Sequence, residues 1–130
     1  DPVWKRRYKH VLDFESMLAE EGTVIIKLFL NISKAEQKKR LESRLQDPDK
    51  LWKFCMDDLD DRNRWDEFQT AYQDLIEKTS TPEAPWYIIP ADRKWYRNLV
   101  VARLMVEKLR HLQLSLPTPN FDPASIIIPD

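Results

Sequence analysis

One glycine, Gly22, serves the whole 130-residue chain, where average usage is about 7%. Phosphate-cradling loops need several residues free to take positive φ so that backbone N–H groups can approach the anion. No such Gly-rich cradle can be built from this sequence, and any anion site must come from side chains. Gly22 itself follows residues 4–21, in which Trp4, Tyr8, Val11, Leu12 and Leu18 recur at helical spacing. It therefore reads as the stop of a first helix.

Residues 24–32 are β-branched and apolar at nearly every position, with Lys27 as the one charge inside the run. That pattern predicts a strand covered on both faces of a parallel sheet. Ser33-Lys34-Ala35-Glu36 reads as a capping box opening a second helix that ends near Gln46, before Asp47-Pro48. A short basic and aromatic connector, residues 49–54, leads to a long third helix whose face carries Leu59, Trp65, Phe68, Tyr72, Leu75 and Ile76. Residues 79–82 end it. Residues 86–89 are a second strand candidate, and Asp92 is the expected N-cap of a fourth helix from Arg93 to about Gln113. Its expected buried stripe is Trp95, Leu99, Ala102, Val106 and Leu109, widened by Val101 and Met105. Four prolines, Pro117, Pro119, Pro123 and Pro129, make the remainder an extended tail, with Ile126-Ile127-Ile128 as its candidate docking segment.

The order is α/β, with a helical excursion between two strands. Two parallel strands make a poor sheet, because their faces and edges need cover; the first and fourth helices are expected on one face, and the rest must come from outside this chain. At 42% apolar residues the chain is nonetheless rich enough for a sizeable core. The charge is balanced, 21 Lys and Arg against 22 Asp and Glu, which points away from nucleic acid as a partner. Cys55 is the single cysteine, so no intrachain disulfide or Cys/His zinc pattern is expected and a reducing cytoplasm fits. No apolar run of about 18 residues predicts a membrane span. The chain begins at Asp1 rather than Met, as a processed or cut polypeptide would.

Several groups could carry chemistry. Arg40 and Arg44, four apart on the second helix, project from one face, and Lys50 and Lys53 lie just beyond its end. These four cations can hold phosphates, Arg as a planar fork and Lys as a mobile point charge. On spacing alone the commoner reading is a solvated helix face with a Glu36–Arg40 pair. Trp52, Phe54 and Trp65 can stack on a base or anchor a helical hairpin, the second role being the commoner for large aromatics. Asp57, Asp58, Asp60 and Asp61 suit the N-terminal dipole of the third helix without any metal. Arg93, Lys94 and Arg97 sit at the start of the fourth helix, where the dipole disfavours cations, so a bound anion or acidic partner is one explanation and ion pairs to other elements are another. Cys55 reads as buried or capping, and His10 and His111 have no evident catalytic partner.

Three runs carry a more specific signal: Lys27-Leu28-Phe29-Leu30-Asn31-Ile32-Ser33-Lys34-Ala35-Glu36-Gln37; Arg40-Leu41-Glu42-Ser43-Arg44 continuing to Asp47-Pro48-Asp49-Lys50-Leu51-Trp52-Lys53-Phe54; and Thr79-Ser80-Thr81-Pro82-Glu83-Ala84-Pro85-Trp86 through Pro90-Ala91-Asp92-Arg93-Lys94-Trp95. Together with Arg62, Trp65, Ala71 and Tyr72, they resemble the polyphosphate kinase 2 family over residues 4–109. The resemblance implies the C-terminal part of a phosphate-loop kinase fold related to thymidylate kinase. It also implies Mg²⁺-dependent transfer of phosphate between inorganic polyphosphate and a nucleoside mono- or diphosphate of the AMP, ADP or GDP class, and assembly into dimers or tetramers. The family's Gly-rich loop and following Asp-Arg motif lie upstream of Asp1, so the chain is expected to be inactive alone. Residues 1–32 would then be a helix and strand of the kinase core, 33–79 a helical lid, 80–113 a further strand and helix of the core, and 114–130 an extended tail. Arg40, Arg44, Lys50 and Lys53 would close on the phosphates, with Arg93 and Lys94 near the site. The resemblance supplies no catalytic or metal-ligating residue within this chain. A serine cap is expected where Cys55 stands. The competing reading is a non-catalytic module that binds polyphosphate or drives oligomerisation.

Overall fold

The computed structural model describes residues 2–129; the terminal residues of the first and last expected segments, Asp1 and Asp130, lie outside them. The described elements are α1 (Pro2–Glu20), β1 (Lys27–Asn31), α2 (Lys34–Gln46), a 3₁₀ turn (Pro48–Lys53), α3 (Asp57–Asn63), α4 (Trp65–Thr79), β2 (Trp86–Pro90), α5 (Lys94–His111) and a second 3₁₀ turn (Pro123–Ser125). Gly22, with φ of 84°, ends α1 as anticipated. Its N–H donates to Ala19 O at 3.0 Å and that of Thr23 to Leu18 O at 2.9 Å, the paired bonds of a left-handed helix stop.

β1 and β2 pair in parallel, Lys27 opposite Trp86 through to Asn31 opposite Pro90. The first strand is shorter than the apolar run 24–32, because β2 offers only five residues to pair with. The expected long third helix is two helices. Arg64 leaves helical geometry at φ −98°, ψ 26°, and its N–H is shared between Asp60 O and Asp61 O. The fourth expected helix, α5, starts at Lys94 rather than Arg93, and its N-cap residue is Arg93, with no side-chain cap. The carboxylate of Asp92 is engaged elsewhere, on the backbone N–H of Ser33 at 2.7 Å. α5 also ends short of Gln113, which turns to positive φ.

Side chains alternate across the strands, so Lys27, Phe29 and Trp86 share one face, and Leu28, Tyr87 and Ile89 the other. α1 and α4 cover the first face. Lys27 reaches Glu15 of α1, and Phe29 lies against Tyr72 of α4 with ring centroids 5.1 Å apart. α5 covers the second, its Lys108 lying 5.5 Å above the Tyr87 ring. The first and last long helices therefore sit on opposite faces, not together as the sequence suggested.

Lys27 is the centre of the first face. It is 9% exposed and donates to Glu15 Oε2 at 2.7 Å and to the backbone carbonyl of Thr79 at 2.5 Å, while its ammonium lies 5.3 Å from the centre of the Trp86 ring. Thr79 is fully buried. Its hydroxyl donates to Leu75 O and accepts from Trp86 Nε1 at 2.8 Å, which leaves no polar atom of this group orphaned. A strand lysine in apolar surroundings is tolerated because a carboxylate, a carbonyl and an aromatic face replace its water.

The apolar core is smaller than composition suggested: among the described residues only Leu41, Ala84, Ile89 and Ala91 are buried apolar side chains. Two strands cannot screen five helices from solvent. The half-covered side of α5 is Arg97, Val100, Val101, Leu104 and Lys108, whereas Trp95, Leu99, Val106 and Leu109 of the expected buried stripe are 40–63% exposed. Ile127 and Ile128 are 90% and 86% exposed, so the tail is not docked through its isoleucines.

Because truncating one member of a buried ion pair strands the other, Lys27→Ala is expected to destabilise the chain by about 3–5 kcal/mol. Urea unfolding checks this, and a loss below about 1 kcal/mol, the scale of an exposed pair, would contradict it.

Candidate functional site

Both strands run in the same direction, so their carboxyl ends open on one edge, and α2 and α5 begin there. Two contacts tie that edge together: Ala91 N–H donates to Asn31 O at 2.8 Å, and Ser33 N–H donates to Asp92 Oδ1 at 2.7 Å. Ser33 also caps α2, its hydroxyl accepting from Glu36 N–H. The expected capping box is thus half realised, because Asp92 takes the Ser33 N–H and the Glu36 carboxylate turns to Arg40. The Asp92 carboxyl is held below its ordinary value, first by the Ser33 N–H, then by the Ser33 side chain, with the Arg40 charge contributing. The carboxyl edge of a parallel sheet is where ligands of open α/β folds bind, with helix N-termini directed at anions.

Arg40 brings α2 onto this edge. Its Nε donates to Glu36 at 2.8 Å and its Nη2 to Ala91 O at 2.6 Å and Asp92 O at 3.4 Å. The i,i+4 ion pair anticipated on a plain helix face is real, yet the same guanidinium also joins α2 to the β2–α5 loop, and Nη1 has no protein partner among the described residues. Arg93 and Lys94 follow that loop, both exposed, and no hydrogen bond or ion pair engages their side chains among the described residues. The structure brings Arg40, Arg93 and Lys94 to one edge.

Arg44, one helical turn or about 6 Å further along α2 than Arg40, forms a second group with Lys50 and Lys53 of the 3₁₀ turn. Arg44 Nη1 donates to Lys53 O at 3.3 Å and meets Asp58 at 3.5 Å, which fastens α2 to the connector and to α3. Lys50 pairs with Asp47, whose carboxyl is held low chiefly by that hydrogen bond. The Lys53 ammonium stands 4.9 Å from the Trp52 ring centre. Trp52 is 79% exposed, so it anchors no hairpin within this chain, while Phe54 and Trp65 are half-buried. Cys55 is exposed rather than buried, and α3 begins without a side-chain cap. Arg97 turns to its neighbour Asn98.

Three residues outside the expected site position it. Lys27 fixes the end of α4, Asp92 fixes the start of α2, and Arg62 donates to Lys34 O at 2.7 Å and Gln37 Oε1 at 2.9 Å, pinning α3 to the first turn of α2. A lone charge inside an apolar strand was the signal for Lys27. Nothing local marked Asp92, whose partner is 59 residues away. The described residues hold no group of three or more His, Cys, Asp or Glu side chains that could ligate a metal; Asp58 is engaged by Arg44. Among the described residues the carboxylates do not gather into a Mg²⁺ site.

The description "Polyphosphate kinase 2 (PPK2)" matches residues 1–116. The AMP/ADP-polyphosphate phosphotransferase of Meiothermus ruber is 52% identical over 97% of this chain and 47% of its own length. The crystal structure of polyphosphate kinase 2 from Arthrobacter aurescens TC1 superposes with a TM-score of 0.88 at 50% identity, over 93% of this chain and 43% of that one. The chain thus spans about half the length of these relatives. An uncharacterised protein of the chlN 3′ region of Leptolyngbya boryana is 47% identical over 89% of this chain and 85% of its own length. With its family match, its identity to these relatives and its superposable fold, the chain belongs to the polyphosphate kinase 2 family.

Proposed function

We propose that this chain is the lid-bearing part of an enzyme of thymidylate kinase-like, phosphate-loop fold that transfers phosphate between inorganic polyphosphate and a nucleoside mono- or diphosphate. The observation that carries the reading is the placement of cations along α2. Arg40 is fastened to the carboxyl edge of the sheet beside Arg93 and Lys94, and Arg44, one turn along α2, is joined to the 3₁₀ turn that carries Lys50 and Lys53. Phosphoryl transfer spreads negative charge over equatorial oxygens, and the protein's task is positioning and charge stabilisation. A polyanion laid along α2 would meet Arg40 first, through the free Nη1, and the mobile lysines further out. The segment 33–79 leaves the carboxyl edge at Ser33 and rejoins the sheet at Thr79, beside the amino ends of both strands, and its part nearest the edge is suited to closing over the phosphates and excluding water, the competing acceptor. Mg²⁺, which would neutralise the transferring phosphate, is a matter for residues outside this chain.

In this reading the phosphate-gripping loop is supplied from outside the 130 residues, and the chain alone transfers no phosphate. The second reading is a non-catalytic polyphosphate-binding or oligomerisation module. Turnover separates the two. Reconstituted with the upstream half of the Meiothermus ruber relative, the chain is expected to phosphorylate AMP or ADP from polyphosphate. Arg40→Ala or Arg44→Ala is expected to lower that turnover by about ten- to a thousandfold, the scale of one lost charge-stabilising contact. Wild-type kinetics in both variants would reduce the two arginines to structural ties, and robust turnover by the 130-residue chain alone would contradict the missing-loop reading.

The same reading includes association. β1 and β2 each keep an open edge, and one face of α5 is apolar and exposed, both of which favour pairing with further chains. Light scattering over a concentration series is expected to show a dimer or larger species, and a monomer at every concentration would contradict it.

A further inference from the structure

The parallel register fixes which backbone groups of the sheet point inward and which point out. Asn31 lies opposite Pro90, and its carbonyl accepts from Ala91 N–H at 2.8 Å. Backbone groups alternate in direction along a strand. Lys27, Phe29 and Asn31 therefore turn their N–H and C=O groups toward β2, and Tyr87, Ile89 and Ala91 turn theirs toward β1. The groups of Leu28 and Leu30 point out of the sheet on one edge, and those of Trp86, Ile88 and Pro90 on the other.

The two edges are not equivalent. On the β2 edge the Trp86 N–H is taken by Ser80 Oγ at 3.1 Å, and Pro90 has no N–H, which leaves Ile88 as the one outward donor. Proline and local cover are ordinary means of closing an edge strand to pairing. The β1 edge has neither. The N–H groups of Leu28 and Leu30 both point outward with no partner among the described residues, and Leu30 is 47% exposed. A lysine often guards such an edge, but Lys27, the one charge in the run 24–32, is turned inward and paired with Glu15. Two identical β1 edges would thus meet without like charges, and a chain of net charge −1 adds little repulsion at longer range.

We propose that two copies of this chain join along β1, antiparallel across a two-fold axis, while the β2 edge stays unpaired. The contact is self-complementary: Leu28 of one copy stands opposite Leu30 of the other and the reverse, each pair exchanging both its N–H···O bonds. The two sheets become one, with the β2 strands at its ends. A two-fold of this kind runs perpendicular to the sheet, so both copies of α5 lie on one side and α1 and α4 of both on the other, and each copy keeps its own packing. This inference names the contact behind the association proposed above; it rests on that association and not on the transfer reaction.

The test is amide hydrogen exchange on the 130-residue chain over the concentration series used for light scattering. In the associated species Leu28 and Leu30 are expected to exchange about tenfold or more slower than Ile88, as for amides held in a ladder, and to lose that protection on dilution. Association with Leu28 and Leu30 unprotected would overturn the β1 contact while leaving association to another surface, whereas a monomer at every concentration would overturn both. Protection that appears only when the upstream half used above is added, and not with concentration, would show the edge taken by a strand of different sequence and overturn pairing between copies. Ile127→Pro, which bars the exposed tail from a ladder, separates the two apolar segments able to pair. Protection retained in that variant supports β1 against β1, and protection lost overturns it. Leu30→Pro removes an outward donor that a single copy does not use, so it is expected to keep the fold and become monomeric, while Ile88→Pro still associates. A folded Leu30→Pro variant that associates like the wild type would overturn the proposal. Should that variant fail to fold, the exchange measurement on the unsubstituted chain decides alone.

Discussion

The ammonium of Lys27 is the interaction on which the rest of this structure depends. It stands inside a five-residue strand, yet its partners belong to α1, to the end of α4 and to β2, elements separated by as many as 59 positions from Lys27 to Trp86. Removing it would leave Glu15 as a largely buried charge and the carbonyl of Thr79 without its donor, each a costly state in a site with little access to water. The cost of desolvating the lysine is met by a carboxylate, a carbonyl and an aromatic face in one place. The end of α4 meets the sheet here, at the Thr79 carbonyl.

The remaining cohesion is thin. Four buried apolar side chains cannot hold five helices around a two-stranded sheet by themselves, and the polar ties acquire corresponding weight. Asp92 to Ser33, Arg40 to the β2–α5 loop, Arg62 to the first turn of α2 and Arg44 to the connector all link segments that apolar contact leaves unjoined. Several of these side chains are also the cations that a phosphate chain would meet. An anion arriving at these guanidinium groups would compete with the contacts that attach α2 to the rest of the fold.

Much of the fold was legible in the sequence, for reasons that differ from element to element. Gly22 marked a helix stop because only a residue tolerant of positive φ closes a helix in that way, and the apolar run around Leu28 and Phe29 marked a strand. Arg40 and Arg44 were visible as a pair through helical spacing, but their actual partners, Ala91 O and Lys53 O, come from tertiary structure. The stripe on α5 was misread because periodicity reports that a face is apolar without reporting what covers it; Val101 and Leu104 turn to the sheet, and Trp95 and Leu109 turn to solvent. The break at Arg64 and the diversion of Asp92 from capping α5 to holding Ser33 were invisible locally, since both are settled by contacts between distant segments. Trp52, a large aromatic read as an anchor, projects into solvent because the connector that carries it packs on α2 through other atoms.

The most direct test of the central claim, that the cations of α2 and of the β2–α5 loop form one polyanion-binding surface, is residue-resolved lysine labelling of the 130-residue chain with and without polyphosphate at low salt. Polyphosphate is expected to protect Lys50, Lys53 and Lys94 while Lys5 and Lys9, on the first turns of α1, remain as reactive as before. Uniform protection of all lysines, or none at Lys50, Lys53 and Lys94, would contradict a localised surface and return these side chains to the role of an ordinary solvated face.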